Sequence, residues 1–467
     1  MQVLSHDLDE VSSSHLGKMA KRIFVSSHVS PQIKTLQNCD GFVYGLVLGH
    51  FTGKDLMVIH WARTPIEEGE AAVEGEEQTG PKSMSEVDPE WVAEHVKLVK
   101  GMLPGGIDVQ GMFFVSQEEI FKKHEQKINS CLKKIKQTLN VDEPLLWPVF
   151  HVNKSSAQTK VVSLSDPVKC KMTNFEESDM QWLCLKANLI LDQVLAFTEE
   201  KTNNRTFKEK LESAVKKLQV SLDNSTMIIN GRLRKGTDQL VAPKPPKVTE
   251  TKSKGKKGKK DTKYDDVSTE ASCDELDNAY GGCKNLKEFD VDILFGESCS
   301  TLDDCVVADV MSRMQITGRM CARAFVHQNA TVEQAVNALK IDIMRTFRAR
   351  LELHCDSLVG EEMKGPEEED IPILHEPPRR VNIQLPQSPV SVSDLLFPGE
   401  THEESVKSME EVFGFTPNYE HLDDELEIVA SPQTIRVSSL IALILTFSFN
   451  MNYFSRWMMN QEPRVLF

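Results

Sequence analysis

Residues 42–49 read FVYGLVLG, and residues 56–62 read LMVIHWA. Both runs are rich in β-branched and aromatic side chains, which favour strands, and the Gly53-Lys54-Asp55 sequence between them is typical of a tight turn. We therefore expect a buried hairpin made of two neighbouring strands. Residues 22–26 predict a strand before this hairpin, and residues 107–115 predict a strand after it.

Two helices are predicted around the last of these strands. Asp88 is a suitable N-cap, Pro89 suits the first helical position, and the Gly105-Gly106 pair follows the end of the apolar periodicity. Ser116 and Glu119 have the spacing of a capping box, so we expect a second helix to begin there.

Strands and helices alternate again further along the chain. Strands are expected at residues 183–191, 315–327 and 381–385, and helices at residues 207–222 and from 331 to about 358. Interleaving of this kind predicts an α/β or α+β fold.

The most apolar run of the chain begins at Val437 and ends at Phe454. Eighteen helical residues rise about 27 Å, close to the roughly 30 Å of bilayer hydrocarbon. Arg436 and Arg456 bracket the run, and Trp457 lies where interfacial aromatic residues belong. We expect a single-pass tail anchor with the bulk of the chain in the cytosol; a buried core helix or an interfacial segment is the alternative. The predicted anchor residues are Val437, Leu440, Ile441, Leu443, Ile444, Leu445, Phe447, Phe449 and Phe454.

Residues 243–263 (PKPPKVTETKSKGKKGKKDTK) have too few apolar side chains to pack. A solvated linker is the simplest interpretation, and a nuclear localisation signal or contact with ribosomal RNA or anionic lipid are alternatives. The predicted organisation is a disordered tail (1–21), a first α/β domain (22–235), a disordered Lys-rich linker (236–285), a second, smaller α/β domain (286–425), a linker (426–436), a transmembrane helix (437–454) and a short lumenal tail (455–467).

The composition of the chain argues against several classes of function. The net charge of −16 argues against general nucleic-acid binding, which draws its affinity from phosphate neutralisation. The 10 cysteines are scattered without a C-x-x-C motif, which suits a reducing compartment better than a disulfide framework or a zinc finger. Cys131 falls on the apolar face of a predicted helix, so we expect it to pack. We expect no cofactor and no catalytic residue.

The order of elements in the first domain resembles that of MPN domains. Catalytic members have a Glu three residues before the first strand glycine, and two histidines of a second signature with a downstream Asp hold a zinc ion that activates water. The matching positions in this chain are Phe42, Phe114 and Ser116, which cannot ligate zinc in that way. The resemblance therefore implies a catalytically inactive MPN-like domain used for docking, and neither an MPN-type protease nor a cysteine protease is expected.

A second resemblance covers most of the folded chain. Residues 88–95 (DPEWVAEH), 102–106 (MLPGG) and 111–114 (GMFF) resemble the odorant-response-abnormal-four family, as do residues 321–327 (CARAFVH) and 381–386 (VNIQLP). The Lys-x-Asp-Ile sequence of the helix between the last two also matches. The family-motif positions are Trp91, Glu94, His95, Met102, Leu103, Pro104, Gly105, Gly106 and Gly111.

This resemblance implies a non-catalytic protein of the endoplasmic reticulum membrane. Family members assist the folding and trafficking of polytopic receptors, such as odorant G-protein-coupled receptors, and recruit the ubiquitin-fold-modifier-specific cysteine protease to that membrane. A tail-anchored adaptor bound to the lipid bilayer is the leading hypothesis. The alternative is a direct receptor escort, in which Asn450 and Asn452 would contact receptor transmembrane helices.

Overall fold

The structure is a computed structural model, and part of the chain lies outside the residues that it describes. The predicted N-terminal tail (1–21), residues 242–285 of the predicted linker and the predicted membrane span (437–454) all lie outside. The span therefore stays a prediction, and within the described part no helix is both long and apolar enough to cross a bilayer. The described residues are 22–27, 29–39, 41–52, 55–66, 80–117, 119–139, 146–153, 157–163, 171–173, 175–178, 181–198, 207–241, 286–295, 310–362, 378–397, 399–417 and 422–424.

An eight-stranded mixed sheet forms the first part of the fold. Its strands are β1 (Arg22–Ser26), β2 (Val43–Phe51), β3 (Asp55–Arg63), β4 (Asp108–Val115), β5 (Leu146–Val152), β6 (Ala157–Ser163), β7 (Lys171–Thr173) and β8 (Phe175–Ser178). Their spatial order is β7-β6-β5-β4-β2-β3-β1-β8. β2 and β3 form the predicted antiparallel hairpin, and β4 pairs with the other side of β2. The hairpin therefore lies at the centre of the sheet, as its apolar content requires.

Helices cover both faces of this sheet. α1 (Ser30–Gln37) packs on one face, where Trp61 stacks on Phe113 with 4.8 Å between ring centroids. α2 (Pro89–Met102) and α4 (Glu125–Thr138) cover the other face. The predicted start of α2 is confirmed, because Asp88 Oδ1 accepts a hydrogen bond from Glu90 N at 3.1 Å.

The predicted capping box at Ser116 and Glu119 is wrong. Ser116 N donates to Val152 O at 3.0 Å, which keeps Ser116 at the end of the sheet. Glu119 is the N-cap residue and makes no side-chain capping hydrogen bond. The expected single helix is divided at His124 into a short helix, α3 (Ile120–Lys123), and α4.

A second, five-stranded sheet lies beside the first. Its strands are β9 (Trp182–Thr198), β10 (Thr226–Ile229), β11 (Arg232–Leu233), β12 (Leu286–Leu294) and β13 (Val310–His327), in the order β11-β10-β12-β9-β13. β9 and β13 pair over their whole length, and α5 (Phe207–Asp223) and α6 (Val332–Glu362) cover one face. This sheet therefore contains residues from both sides of the predicted linker.

The C-terminal part of the described chain returns to the first sheet. β14 (Arg379–Gln384), β15 (Ser391–Leu396) and β16 (Leu422–Asp424) form a third sheet, which packs with α7 (His402–Phe413). Buried residues of this unit, among them Ile383 and Phe413, share one core with α2 and the first sheet. The three sheets with their helices confirm the predicted mixed α/β class.

Phe113 tests the central packing of the first sheet, because it is 1% exposed and stacks on Trp61. We expect Phe113→Ala to lower the free energy of unfolding by about 3–5 kcal/mol through lost burial and an unfilled cavity. Leu98→Ala, at a position 51% exposed, is the matched control and should change it by less than about 0.5 kcal/mol. Denaturant melts of both variants check this; equal stability would contradict the packing described.

Candidate functional site

The MLPGG motif connects the first sheet to the second. α2 ends at Met102, and the loop that follows runs along the edge of β13. Gly105 N donates to Arg323 O at 3.2 Å, and Phe325 N donates to Gly105 O at 2.8 Å. The loop therefore acts as a short extra strand on the second sheet, while its first residues still belong to the helix that covers the first sheet.

Both positions of the motif require glycine because the backbone of neighbouring elements lies too close for a side chain. A Cβ on Gly105 would overlap the carbonyl oxygen of Ala338 in α6. Gly106 has φ +83°, in the left-handed region, and a Cβ there would overlap the carbonyl oxygen of Phe325. The pair lets the loop lie directly against α6 and β13.

A buried ion pair holds this loop in place. Asp342 of α6 is 0% exposed and Arg380 of β14 is 1% exposed. Arg380 donates from Nη1 to Asp342 Oδ2 at 2.8 Å and from Nη2 to Oδ1 at 2.9 Å. The same carboxylate accepts from Gly105 N at 3.2 Å and from Arg323 N at 2.8 Å. One carboxylate thus joins the loop, the second sheet, α6 and the third sheet, and we call these residues the junction.

The carbonyl groups at the end of α2 also find partners outside the helix. Arg345 Nη1 donates to Leu103 O at 2.7 Å, and Ser393 Oγ donates to Met102 O at 3.4 Å. His50 Nδ1 is 2.6 Å from Gly106 O, and a carbonyl can only accept, so this nitrogen carries the proton. The helix end is therefore bonded to α6, to the third sheet and to the central hairpin.

His95 makes a second connection between the first sheet and the C-terminal unit. It is 1% exposed, and its Nε2 is 2.7 Å from Val412 O of α7. Because that nitrogen must donate, Nδ1 is the acceptor for Thr64 Oγ1 at 3.1 Å. Burial lowers the pKa of His95 from 6.5 to about 4, so the neutral ring is the native form.

The remaining motif residues are also structural. Trp91 Nε1 donates to Pro65 O at 2.9 Å, and a Cβ on Gly111 would overlap the carbonyl oxygen of Pro148. Glu94 is exposed, and its Oε2 atom lies 3.6 Å from Nζ of Lys97, one turn further along the same helix. The motif therefore divides into a helix face, a core histidine and the junction loop.

The positions that correspond to signature residues of catalytic MPN domains are not arranged around a metal. Phe42 stacks near Phe114 with 6.4 Å between ring centroids, and Phe114 is fully buried. Among the described residues, no group of three or more His, Cys, Asp or Glu side chains could hold a metal ion. The geometry at this place is that of an aromatic cluster.

Two of the cysteine thiols are poorly suited to nucleophilic chemistry. Cys131 lies in the core, as predicted, and burial raises the pKa of its thiol to about 12. Burial likewise raises the pKa of Cys184 to about 12. A thiol with such a pKa stays protonated at neutral pH, whereas thiolate is the nucleophilic form.

Asp342 belongs to the Lys-x-Asp-Ile sequence that matches the family, but the sequence by itself assigned no role to it or to Arg380, although a signal was present. Asp342 follows Ala338 and Leu339 at helical spacing, so it occupies the apolar stripe of α6. A charged residue on such a stripe requires a buried partner, and Arg380 is the second residue of a strand whose next residues alternate apolar and polar. The sequence alone does not pair the two.

The comparisons with known proteins agree with the motifs. The ODR4-like family (Odorant response abnormal 4-like) matches residues 45–424. A Protein odr-4 homolog of Xenopus laevis is 22% identical over 400 residues, covering 82% of this chain and 81% of that protein. The Odorant response abnormal protein 4 of Caenorhabditis elegans is 22% identical over 405 residues, covering 83% and 75%.

Among solved structures, the chain is similar to the crystal structure of UfSP from Caenorhabditis elegans, with TM-score 0.40 and 11% identity. The match covers 89% of this chain and 61% of that one, which is less than two thirds of its length.

Fold and motifs together define a mixed α/β protein whose motif residues hold three sheets in one arrangement. The chain belongs to the ODR4-like family.

Removing one partner of the buried ion pair should be costly. We expect Asp342→Asn to lower the free energy of unfolding by about 3–5 kcal/mol, because it leaves the Arg380 guanidinium buried without its counter-charge. The double variant Asp342→Leu/Arg380→Met should lose less stability than the sum of the losses in Asp342→Leu and Arg380→Met. Glu404→Gln removes an exposed pair with Lys407 (3.4 Å) and should cost less than about 0.5 kcal/mol in the same denaturant melts. Additive single and double effects would disprove the coupling.

His95 should make stability depend on pH. The unfolded chain takes up a proton at this residue near pH 6.5, whereas the native chain does so only near pH 4. The free energy of unfolding should therefore be greatest above pH 6.5 and fall by up to about 3 kcal/mol as the pH approaches 4. His95→Gln should remove this slope, whereas Leu98→Gln on the exposed face of α2 should keep it. Melts between pH 7.5 and 4.5 test this, and an unchanged slope in His95→Gln would refute it.

Proposed function

We propose that this chain is a non-catalytic, tail-anchored adaptor of the endoplasmic reticulum membrane. Residues 437–454 would supply the anchor, and the folded body would recruit the ubiquitin-fold-modifier-specific cysteine protease to the cytosolic face. Through this recruitment the protein would support the folding and trafficking of polytopic receptors. The protease and the receptors enter the proposal through the family resemblance.

The observation that carries the adaptor role is the location of the motif residues. The buried junction brings together residues 102–106, Asp342 and the strand that begins at Arg379. Catalytic motifs bring reactive side chains to a cleft, whereas these residues bond loop to helix and sheet to sheet. Such a junction keeps separate surfaces in a constant relative position, which is what an adaptor needs.

The N-terminal part of the chain fits the same role. We propose that it is an inactive MPN-like domain, in which Phe42 and Phe114, whose rings stack near each other, replace signature residues of the catalytic members. A domain of this kind offers its surface for docking. The two thiols with raised pKa values, Cys131 and Cys184, support the non-catalytic assignment.

Fractionation tests the anchor and the adaptor role together. In cells, the full chain should stay in the membrane pellet after carbonate extraction, because an inserted apolar helix does not partition into water. Deleting residues 437–467 should release the chain while the protease still co-purifies with it. A full-length chain that is found in the soluble fraction would contradict the anchor, and a chain that never co-purifies with the protease would contradict the adaptor role.

Replacing residues 437–454 by an unrelated membrane anchor separates the adaptor from the direct escort. An adaptor should still support receptor surface delivery with the foreign anchor, because only its location matters. Loss of delivery with normal protease recruitment would favour the escort.

A further inference from the structure

The most basic surface among the described helices lies on α3 and α4. The apolar side of α4 is buried, and its residues Ile128, Leu132 and Ile135 belong to the core shared with the first sheet. Residues 120–138 contain six lysines and one acidic residue, Glu125. We call the six lysines the lysine face; they are Lys122, Lys123, Lys127, Lys133, Lys134 and Lys136, and none of them is buried.

Neighbouring carboxylates reduce this positive charge but do not cancel it. Lys122 Nζ lies 3.5 Å from Glu119 Oε2, and Lys134 Nζ lies 2.8 Å from Glu90 Oε1 of α2. The other charged residues of α2 with its N-cap, and of the sequence just before α3, are Asp88, Glu94, Lys97, Lys100 and Glu118. With all of these included, eight lysines and six acidic residues leave a net charge of +2, whereas the whole chain has a net charge of −16. The lysine face is therefore a positive region of an acidic protein.

The proposed anchor would keep this region close to a bilayer. Twelve residues separate Asp424, the last residue of β16, from Val437, where the predicted span begins. A chain spans at most about 3.6 Å per residue, so β16 would stay within roughly 45 Å of the membrane. β16 and α4 belong to the same part of the body, because Leu422 packs against the core that contains Leu132. The lysine face is therefore within reach of the lipid headgroups.

The chemistry of the lysine face favours a lipid surface over a nucleic acid or a specific protein. All of its cations are lysines, which act as flexible point charges, whereas arginine is preferred where a phosphate or a carboxylate is held in a fixed geometry. The neighbouring Phe121 is half-buried and packs edge-on against His151, with 5.9 Å between ring centroids, so it does not offer a face on which bases could stack. A cluster of about four to eight cations on an amphipathic helix is the pattern that anionic headgroups attract.

We propose that the lysine face lies against the anionic lipid headgroups of the membrane that holds the anchor. The inference rests on the proposed function, because the anchor brings the body to that membrane. A body with a net charge of −16 is repelled as a whole by anionic lipid, so it turns its positive region towards the bilayer. This contact would fix the orientation in which the adaptor presents a recruited protein.

Amine labelling of the full-length chain in lipid nanodiscs tests the proposal. One set of discs contains phosphatidylcholine alone, and the other also contains about 30% phosphatidylserine. Lys122 is 83% exposed and pairs with Glu119; the matched control, Lys407 of α7, is 65% exposed and pairs with Glu404 at the same spacing. We expect Lys122 to label at least about threefold more slowly in the anionic discs and Lys407 to label equally in both. Salt at about 0.5 M should abolish the difference, because it screens the attraction.

Removal of charge tests whether the lysines cause the protection. Lys123→Gln/Lys133→Gln should abolish the protection of Lys122, because each lysine near an anionic surface contributes about fivefold to the attraction. Lys217→Gln/Lys235→Gln, at two exposed positions outside the lysine face, is the matched control and should keep the protection. A chain in which every lysine of residues 252–260 is replaced by glutamine should keep it as well. Thermal melts of all the variants establish that they are folded.

Each failure has a separate meaning. A full-length chain that does not insert into the discs would overturn the anchor, and with it this inference. A chain that inserts but labels equally at Lys122 in both kinds of disc would overturn the lipid contact and leave the anchor intact. Equal protection of Lys122 and Lys407, or loss of protection when the lysines of residues 252–260 are replaced, would overturn the assignment to the lysine face. Protection that appears only with added protease or RNA would overturn the lipid contact in favour of that partner.

Discussion

Among the described residues, Asp342 is a buried charge that joins the loop after α2 to the second and third sheets. A carboxylate inside a protein loses several kcal/mol of hydration, and only a counter-charge with several hydrogen bonds compensates for this loss. Here Arg380 supplies the counter-charge through two hydrogen bonds, and the backbone N–H groups of Gly105 and Arg323 donate two more. Because its donors come from three separate parts of the chain, the carboxylate is compensated only when those parts are correctly docked.

The motif residues are structural in this fold. Gly105 and Gly106 both lie against backbone that leaves no space for a side chain. Both ring nitrogens of His95 are hydrogen-bonded inside the core, and its pKa is lowered to about 4. These residues therefore fix how the parts of the body pack together.

Local patterns predicted the elements whose residues are close in sequence. The hairpin β2–β3 and the capped start of α2 agree with the structure, because a turn and an N-cap depend on only a few neighbouring residues. The capping box at Ser116 failed because a distant carbonyl, Val152 O, took the backbone N–H at that residue. The Asn230-Gly231 turn, with positive φ at both residues, is a hairpin signal that could have been recognised.

The sequence by itself determined the α/β class, the family and the chemical character of its segments, since periodicity and composition are properties of short stretches. Only the tertiary structure decided that β9 pairs with β12 and β13 across the Lys-rich segment, and that Asp342 faces Arg380. Pairing and burial depend on which distant residues satisfy each backbone group and each charge. That is a property of the whole chain packed together, because a buried polar group is stable only where all of its partners are present.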